Sequence, residues 1–283
     1  MTNSVPAPSA NHIHKVKTLL DEKADFYNRP SFIARDPISI PHQFTRLQDI
    51  EIMGFWAAVL AWGQRPVILQ KANELVQLME GRPYDFIRYH EDSDLRRFLA
   101  FKHRTFNTTD TLYFLHYLKQ YYAHHHSLED AFIPDGGGTD SLTTEPHLMV
   151  FHDRFCDTTG EKGLFFPERT RKHIATPARH SGCKRLNMFL RWMVRRDETG
   201  VDFGLWHRIR PDQPVIPIDV HVGRVAAKLG ILPLKADETR SGGPSQTDWK
   251  AAVALTNVLR QLDPTDPVRY DFALFGLGVE GEM

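Results

Sequence analysis

Cysteine is nearly missing from this sequence: Cys156 and Cys183 are all that its 283 residues contain. Two thiols cannot build a disulfide framework, a four-thiolate zinc site or a cysteine-held iron–sulfur cluster. Net charge is missing as well, because 35 Lys and Arg meet 35 Asp and Glu, so no global field draws the chain to nucleic acid or to an anionic surface. No apolar run approaches the roughly 20 residues of a membrane-spanning helix. The opening MTNSVPAPSANHIHK lacks the charged-then-apolar order of a secretion signal, and a cytoplasmic protein is expected. The one run of three glycines, Gly136-Gly137-Gly138, has neither the spacing nor the trailing Lys-Ser/Thr of a phosphate loop. Alternation of period two is scarce and no internal repeat is present, which argues against sheet and solenoid architectures.

What the chain does have is helical period. HKVKTLLDEKADFYN sets Val16, Leu19, Leu20 and Tyr27 near one face. DIEIMGFWAAVLAWG opens at Asp49, a favoured N-cap, and is apolar all round, so it predicts a buried helix running to Gly63. PVILQKANELVQLME starts at Pro66, a favoured first-turn residue, and stops before Gly81-Arg82-Pro83. DTLYFLHYLKQYYAHHH places Leu112, Leu115 and Leu118 for one face, and two further helices close the chain. The expectation is an all-α fold with a flexible N-terminus over residues 1–13 and one unit of two lobes over 14–283. Within it lie a loop-rich insertion at 133–147 and a second polar loop from Lys235 to Asp248.

Charge is uneven along the chain. From Glu161 to Arg196 ten Lys and Arg stand against two acids, which reads either as a footprint for a phosphate backbone or as a solvated helical face. Inside this stretch, HSGCKRLNMFLRWM has small residues, Ser181 and Gly182, at a bend that opens an apolar-periodic helix. Such a bend can turn successive backbone N–H groups toward a phosphate without any side-chain charge. Lys184 then falls in the first helical turn. Thirty-five positions later, Asp219 follows Pro217 and opens VHVGRVAAKLG. Taken locally it is an N-cap, its carboxylate on first-turn N–H groups. A lysine on a basic helix is, taken alone, a solvated lysine.

The segment from Ser181 to Leu229 resembles the signature of the helix-hairpin-helix DNA glycosylase superfamily, nearest its lysine-bearing 8-oxoguanine glycosylases and endonuclease III type. The matching residues are Gly182-Cys183-Lys184, then Pro217-Ile218-Asp219-Val220-His221, then Arg224, Ala226, Leu229 and Gly230. The hairpin and catalytic element would span about residues 175–230. The stretch AAVLAWGQRPVILQKANEL is similar to the superfamily's early helix–turn–helix, and YDFALFGLGV to its last core helix. Cluster-bearing members continue into four cysteines, which this sequence lacks. The usual hairpin opening Leu-Pro-Gly-Val-Gly is reduced here to Gly182.

The resemblance implies Lys184 as nucleophile on the deoxyribose, Asp219 as supporting carboxylate and Gln64 as the wedge that fills the gap left by a flipped nucleotide. Ser181, Gly182, Arg179, Arg185 and Lys172 become the candidates for holding phosphates. It further implies double-stranded DNA with a damaged base as partner, a monomer, and no iron–sulfur cluster or redox cofactor, with room for a structural monovalent cation at the hairpin. The long Lys184-to-Asp219 connection leans toward an oxidised purine, 8-oxoguanine foremost. An expectation of a different class stands beside this one, a non-catalytic hairpin protein that binds DNA or RNA with Lys184 as a phosphate contact. A metal-dependent phosphohydrolase built on His124, His125, His126, His147, His152 and Asp153 is not supported by their spacing. Trp56, Trp62, Trp192, Trp206, Phe203 and Phe275 are read as core, and a base-stacking role requires one of them to face the cleft.

Overall fold

The computed structural model describes residues 10–137, 140–157, 165–232 and 247–279. It is all-α: among these residues there is no strand, only isolated bridges at His103–Phe106 and Ser181–Asp248. The helices are α1 (Ala10–Tyr27), α2 (Pro30–Ile33), α3 (Leu47–Leu60), α4 (Arg65–Leu78), α5 (Pro83–Tyr89) and α6 (Thr108–His124). They continue with α7 (Glu129–Phe132), α8 (Glu145–Phe155), α9 (Lys184–Val194), α10 (Val220–Lys228), α11 (Trp249–Leu262) and α12 (Tyr270–Val279). α1 starts at Ala10, so residues 10–13 of the expected flexible terminus are helical, and residues 1–9 lie outside the described residues. Of the polar loop expected from Lys235 to Asp248, only Thr247 and Asp248 are described, and the 133–147 insertion is described without residues 138 and 139.

α3 is the hub. Every residue from Ile50 to Leu60 is buried, as its unbroken apolar run predicts. Phe55 at its centre meets Phe114 of α6, Phe151 and Phe155 of α8 and Phe189 of α9, with ring centroids 5.5 to 6.1 Å apart. Aromatic pairs at this spacing add directional preference to area burial, which fixes how the helices sit around α3. One carboxylate is buried on the same helix: Glu51 accepts from Tyr122 Oη, Ser127 Oγ, the Leu128 N–H and Trp206 Nε1. Four donors offset its desolvation and tie α3 to α6, to the start of α7 and to the segment after α9.

The expected cap at Asp49 is corrected. α3 begins two residues earlier, and Asp49 accepts the Tyr84 N–H at 2.7 Å, so its carboxylate satisfies the N-terminus of α5 instead. α6 is capped by Asn107, whose side chain accepts from Thr109 and Asp110 while Asp110 accepts the Asn107 N–H, a reciprocal capping box. Asp110 also takes bonds from Thr170 and Arg169, which ties the 3-10 turn Glu168–His173, just ahead of the hairpin, to α6. α9 packs on α3, and α12 packs on both α1 and α10. The start of α9, the end of α3, the start of α10 and one face of α12 therefore converge.

Candidate functional site

α9 starts abruptly, and the cause lies in three residues. His180 and Cys183 both have left-handed backbone, φ 59° and 49°. Gly182 between them passes so close to Thr247 that a Cβ there would stand 2.1 Å from the Thr247 carbonyl oxygen. A distant segment clamps this turn: Ser181 bridges Asp248, and the Trp249 N–H donates to the His180 carbonyl at 3.2 Å. Its own polar groups are used internally, since Ser181 Oγ accepts the Cys183 N–H at 3.2 Å and Asn187 Nδ2 donates to the Gly182 carbonyl at 3.0 Å. With the Cys183 thiol on the Ser181 carbonyl at 3.3 Å, the carbonyls of 180, 181 and 182 each accept one protein donor and keep a second lone pair. Lys184 emerges as the first helical residue.

Asp219 is the N-cap of α10, as its local sequence predicts: Oδ1 accepts the N–H groups of His221 and Val222, both at 2.9 Å. Its other oxygen is not idle. Lys184 Nζ donates to Asp219 Oδ2 at 2.7 Å, with the lysine side chain 35% and the aspartate side chain 19% exposed. Burial pushes the Asp219 carboxyl up, but the Lys184 charge, its hydrogen bond and the cap N–H groups outweigh burial and leave it below its ordinary value. The capping role and the pairing role thus coexist in one carboxylate.

The pair opens into a cleft of about 780 Å³. Trp62, Gly63 and Arg65 line it from the α3–α4 turn, residues 181–185 from the hairpin, and residues 217–221 from the start of α10. Asp36, Lys172, Met188, Arg191, Asp271 and Phe275 are among the other residues that line it. Gly63, at φ 108°, makes the turn, and Gln64 stands exposed at the N-cap of α4 between two lining residues without being one itself. Of the expected phosphate holders, Ser181, Gly182, Lys172 and Arg185 line the cleft, while Arg179 is exposed outside it.

Arg185 is an unusual member of this set. Its guanidinium donates to the carbonyls of Val59 and His173 and lies 5.9 Å from the Trp62 ring centre, and among the described residues no carboxylate pairs with it. Burial without a counter-charge pushes it down to about 10. Arg104 stands over the same indole at 5.2 Å. Trp62 is therefore the tryptophan that faces the cleft, whereas Trp56, Trp192 and Trp206 are core. Phe275 also reaches the cleft, with Arg65 5.2 Å from its ring centre.

The basic stretch is not a basic face. Arg191 pairs with Asp271 and Asp202, and Arg195 with Asp197, Asp202 and Asp266, all largely inside the protein. Arg169 pairs with Asp110 and Arg171 with Glu168. Three arginines of the stretch, Arg169, Arg191 and Arg195, are thus held by acids from outside it, pairings that a charge count along the sequence cannot see.

Arg191 and Asp271 escaped the sequence reading, although a signal was there. Each is the lone charge in an otherwise apolar stretch, LNMFLRWMV and YDFALFGLGV, and opposite charges of that kind in two helices seek each other. Arg191 Nη1 donates to Asp271 Oδ2 at 2.5 Å. Burial dominates at Asp271 and, against the pull of Arg191, lifts its carboxyl to about 6. As for the histidines, His147 is fully buried with neither ring nitrogen bonded, and no three His, Cys, Asp or Glu side chains among the described residues are grouped to hold a metal.

Residues 36–280 match the family described as "Protein of unknown function (DUF2400)". No curated protein and no solved structure matches the chain.

Proposed function

The chain belongs to the DUF2400 family, and we propose that it is a DNA base-excision glycosylase with AP-lyase activity, built on a helix-hairpin-helix glycosylase-like fold. Its substrate is double-stranded DNA carrying an oxidised base, 8-oxoguanine foremost, and it acts as a monomer. The observation that carries this reading is the Lys184–Asp219 pair at 2.7 Å, assembled in an open cleft from two turns thirty-five residues apart. An amine and a carboxylate so placed suit attack on a sugar carbon whose positive charge grows as the base departs.

A base inside a duplex is out of reach, so the nucleotide must be extruded and the vacancy filled. Gln64, at the tip of the α3–α4 turn on the cleft's rim, is the filler. Lys184 attacks C1′ and displaces the base, Asp219 offsets the charge on the sugar, and the covalent product opens to a Schiff base from which β-elimination nicks the strand. Lys172, Arg185, Ser181 and Gly182 face the backbone within the cleft, and Arg179 extends the contact outside it. No step runs through a metal or a redox cofactor.

The test is borohydride trapping on duplexes that hold 8-oxoguanine, an oxidised pyrimidine or an abasic site. Wild type is expected to give a covalent adduct that disappears with Lys184→Gln, and the preferred duplex names the lesion class. If wild type binds these duplexes and traps none of them, Lys184 is a phosphate contact and the protein is a nucleic-acid-binding module.

A further inference from the structure

Lys184 cannot attack as an ammonium; its proton must go somewhere. Asp219 is the nearest carboxylate and a poor acceptor. Oδ1 is committed to two backbone N–H groups and Oδ2 to Nζ itself, so a proton there would displace the cap of α10 or the lysine. The cleft holds other carboxylates, and their surroundings differ.

Asp271 lines the cleft from α12, its side chain 8% exposed. Arg191 holds Oδ2, and no donor of the described residues bonds Oδ1. Arg191 stands seven residues after Lys184 on α9, with Met188 between, and all three line the cleft. At helical spacing these positions form one stripe, so Arg191 anchors Asp271 to the face that presents Lys184. The Lys184 and Asp219 charges both act on Asp271. Asp36, the remaining cleft carboxylate, spends Oδ1 on the Ile38 N–H that caps the turn Pro37–Ser39, and the charges acting on it are those of Arg191, Arg65 and Asp202 rather than Lys184.

We infer that Asp271 is the proton acceptor for Lys184 and the donor to the departing base. This rests on the glycosylase reading. As an N–H bond of the Lys184 ammonium breaks, a water entering the open cleft takes that proton and gives one of its own to Asp271, where an O–H bond forms. The freed lone pair bonds to C1′ while the glycosidic C–N bond breaks and its electron pair leaves on the base. The base then takes the proton from Asp271, which returns to carboxylate. No proton is gained or lost over these steps. The two carboxylates divide the work: Asp219 stays charged beside the sugar, and Asp271 cycles.

The charged and titratable groups that share the cleft with Asp271 are Arg191, Lys184 and Arg185 of α9, Asp219 and His221 at the start of α10, and Asp36, Arg65 and Lys172. Asp202 lies behind Arg191. From α1, Asp21 and Asp25 bond Tyr270 and Arg269 and do not line the cleft. With the Asp271 carboxyl at about 6, acceptance is available at neutral pH and is lost as pH falls through that value.

The experiment is single-turnover excision and borohydride trapping from pH 5 to 8 on an 8-oxoguanine duplex, with wild type, Asp271→Asn, Asp271→Glu and Asp219→Asn. Wild type is expected to lose rate about tenfold per pH unit below about 6. Asp271→Asn, which keeps a partner for Arg191, is expected to fall by about 10² to 10⁴-fold near neutrality and to lose that acidic limb. Asp271→Glu and Asp219→Asn keep the limb at reduced rates. An Asp271→Asn enzyme within threefold of wild type and with the same limb overturns the assignment while leaving the glycosylase reading intact. A wild type that traps no duplex at any pH overturns both. Should Asp271→Asn fail to fold, a wild-type profile flat through pH 6 overturns the assignment by itself.

Discussion

At the scale of single residues, Asp219 and Asp271 of the cleft show how environment separates identical side chains. Asp219 is solvated on one side, capped and paired, and sits below its ordinary value; Asp271 is enclosed and sits above it. The signs of their pH effects differ accordingly. The stabilisation from Asp219 is fully present above pH 3.8, the ordinary carboxylate value, and is lost only as pH falls through its lower folded value. For Asp271 the folded state holds the proton more tightly than the unfolded chain, so ionisation costs stability above about pH 6, and that cost is relieved as pH falls from 6 toward 3.8. Urea midpoints at pH 5 and 7.5 should therefore show a smaller pH dependence in Asp271→Asn than in wild type, and an unchanged one in Asp219→Asn. The two jobs of Asp219 can also be split by substitution. Asn caps as well as Asp, whereas Ala costs about 1 kcal/mol. Asp219→Asn is expected to melt near wild type yet lose about 10² to 10³-fold in excision rate, and Asp219→Ala to lose both, as melting curves and single-turnover rates will show.

At the scale of elements, the hairpin turn owes its shape to a neighbour rather than to its own residues. Gly182 is needed because Thr247 lies against it, 2.1 Å from where a Cβ would be, and backbone cannot yield as a flexible side chain can. Gly182→Ala is expected to destabilise by about 1–3 kcal/mol and to weaken duplex binding together with it, measured by thermal unfolding and by fluorescence anisotropy with labelled DNA. The α9–α12 contact depends on a buried ion pair in the same way. Removing Arg191 takes the ion-pair partner from the enclosed Asp271, while Asp202 keeps Arg195, a loss of about 3–5 kcal/mol. Urea unfolding of Arg191→Met should show it, while Asp271→Asn, which keeps a hydrogen-bond acceptor for Arg191, should cost less.

At the scale of the whole molecule, one apolar cluster runs from Val16 in α1 to Leu277 in α12 through α3, and the charges balance around it. Few cations are therefore left to grip a phosphate backbone. With Arg65, Lys172, Arg179 and Arg185 as the contacts, the log–log slope of duplex affinity against salt should be about −3 to −4. A slope twice as steep would point to a basic surface elsewhere on the protein, and titration of binding between low and physiological salt decides it. The same balance explains why affinity should depend on the clamped hairpin and on Trp62, held between Arg104 and Arg185, more than on bulk attraction.

Whatever short-range rules govern was legible in the chain before folding. Unbroken apolar period located α3 and its burial, Pro66 marked the first turn of α4, and small residues before an apolar period put Lys184 in the first turn of α9. Asp219 could be read as a cap because capping is settled within three residues. Relations between distant segments were not legible in the local sequence, and the family resemblance alone implied that Lys184 and Asp219 work together. That Asp219 has a second oxygen for Lys184, that Asp49 caps another helix, that Arg191 and Arg195 turn inward, and that Asp271 enters the cleft are all set by how α5 and α9 pack on α3 and α10 on α12. The period of a helix states which face is apolar; only the packed core states which partner that face meets, and so which polar residues at its edge are brought within reach.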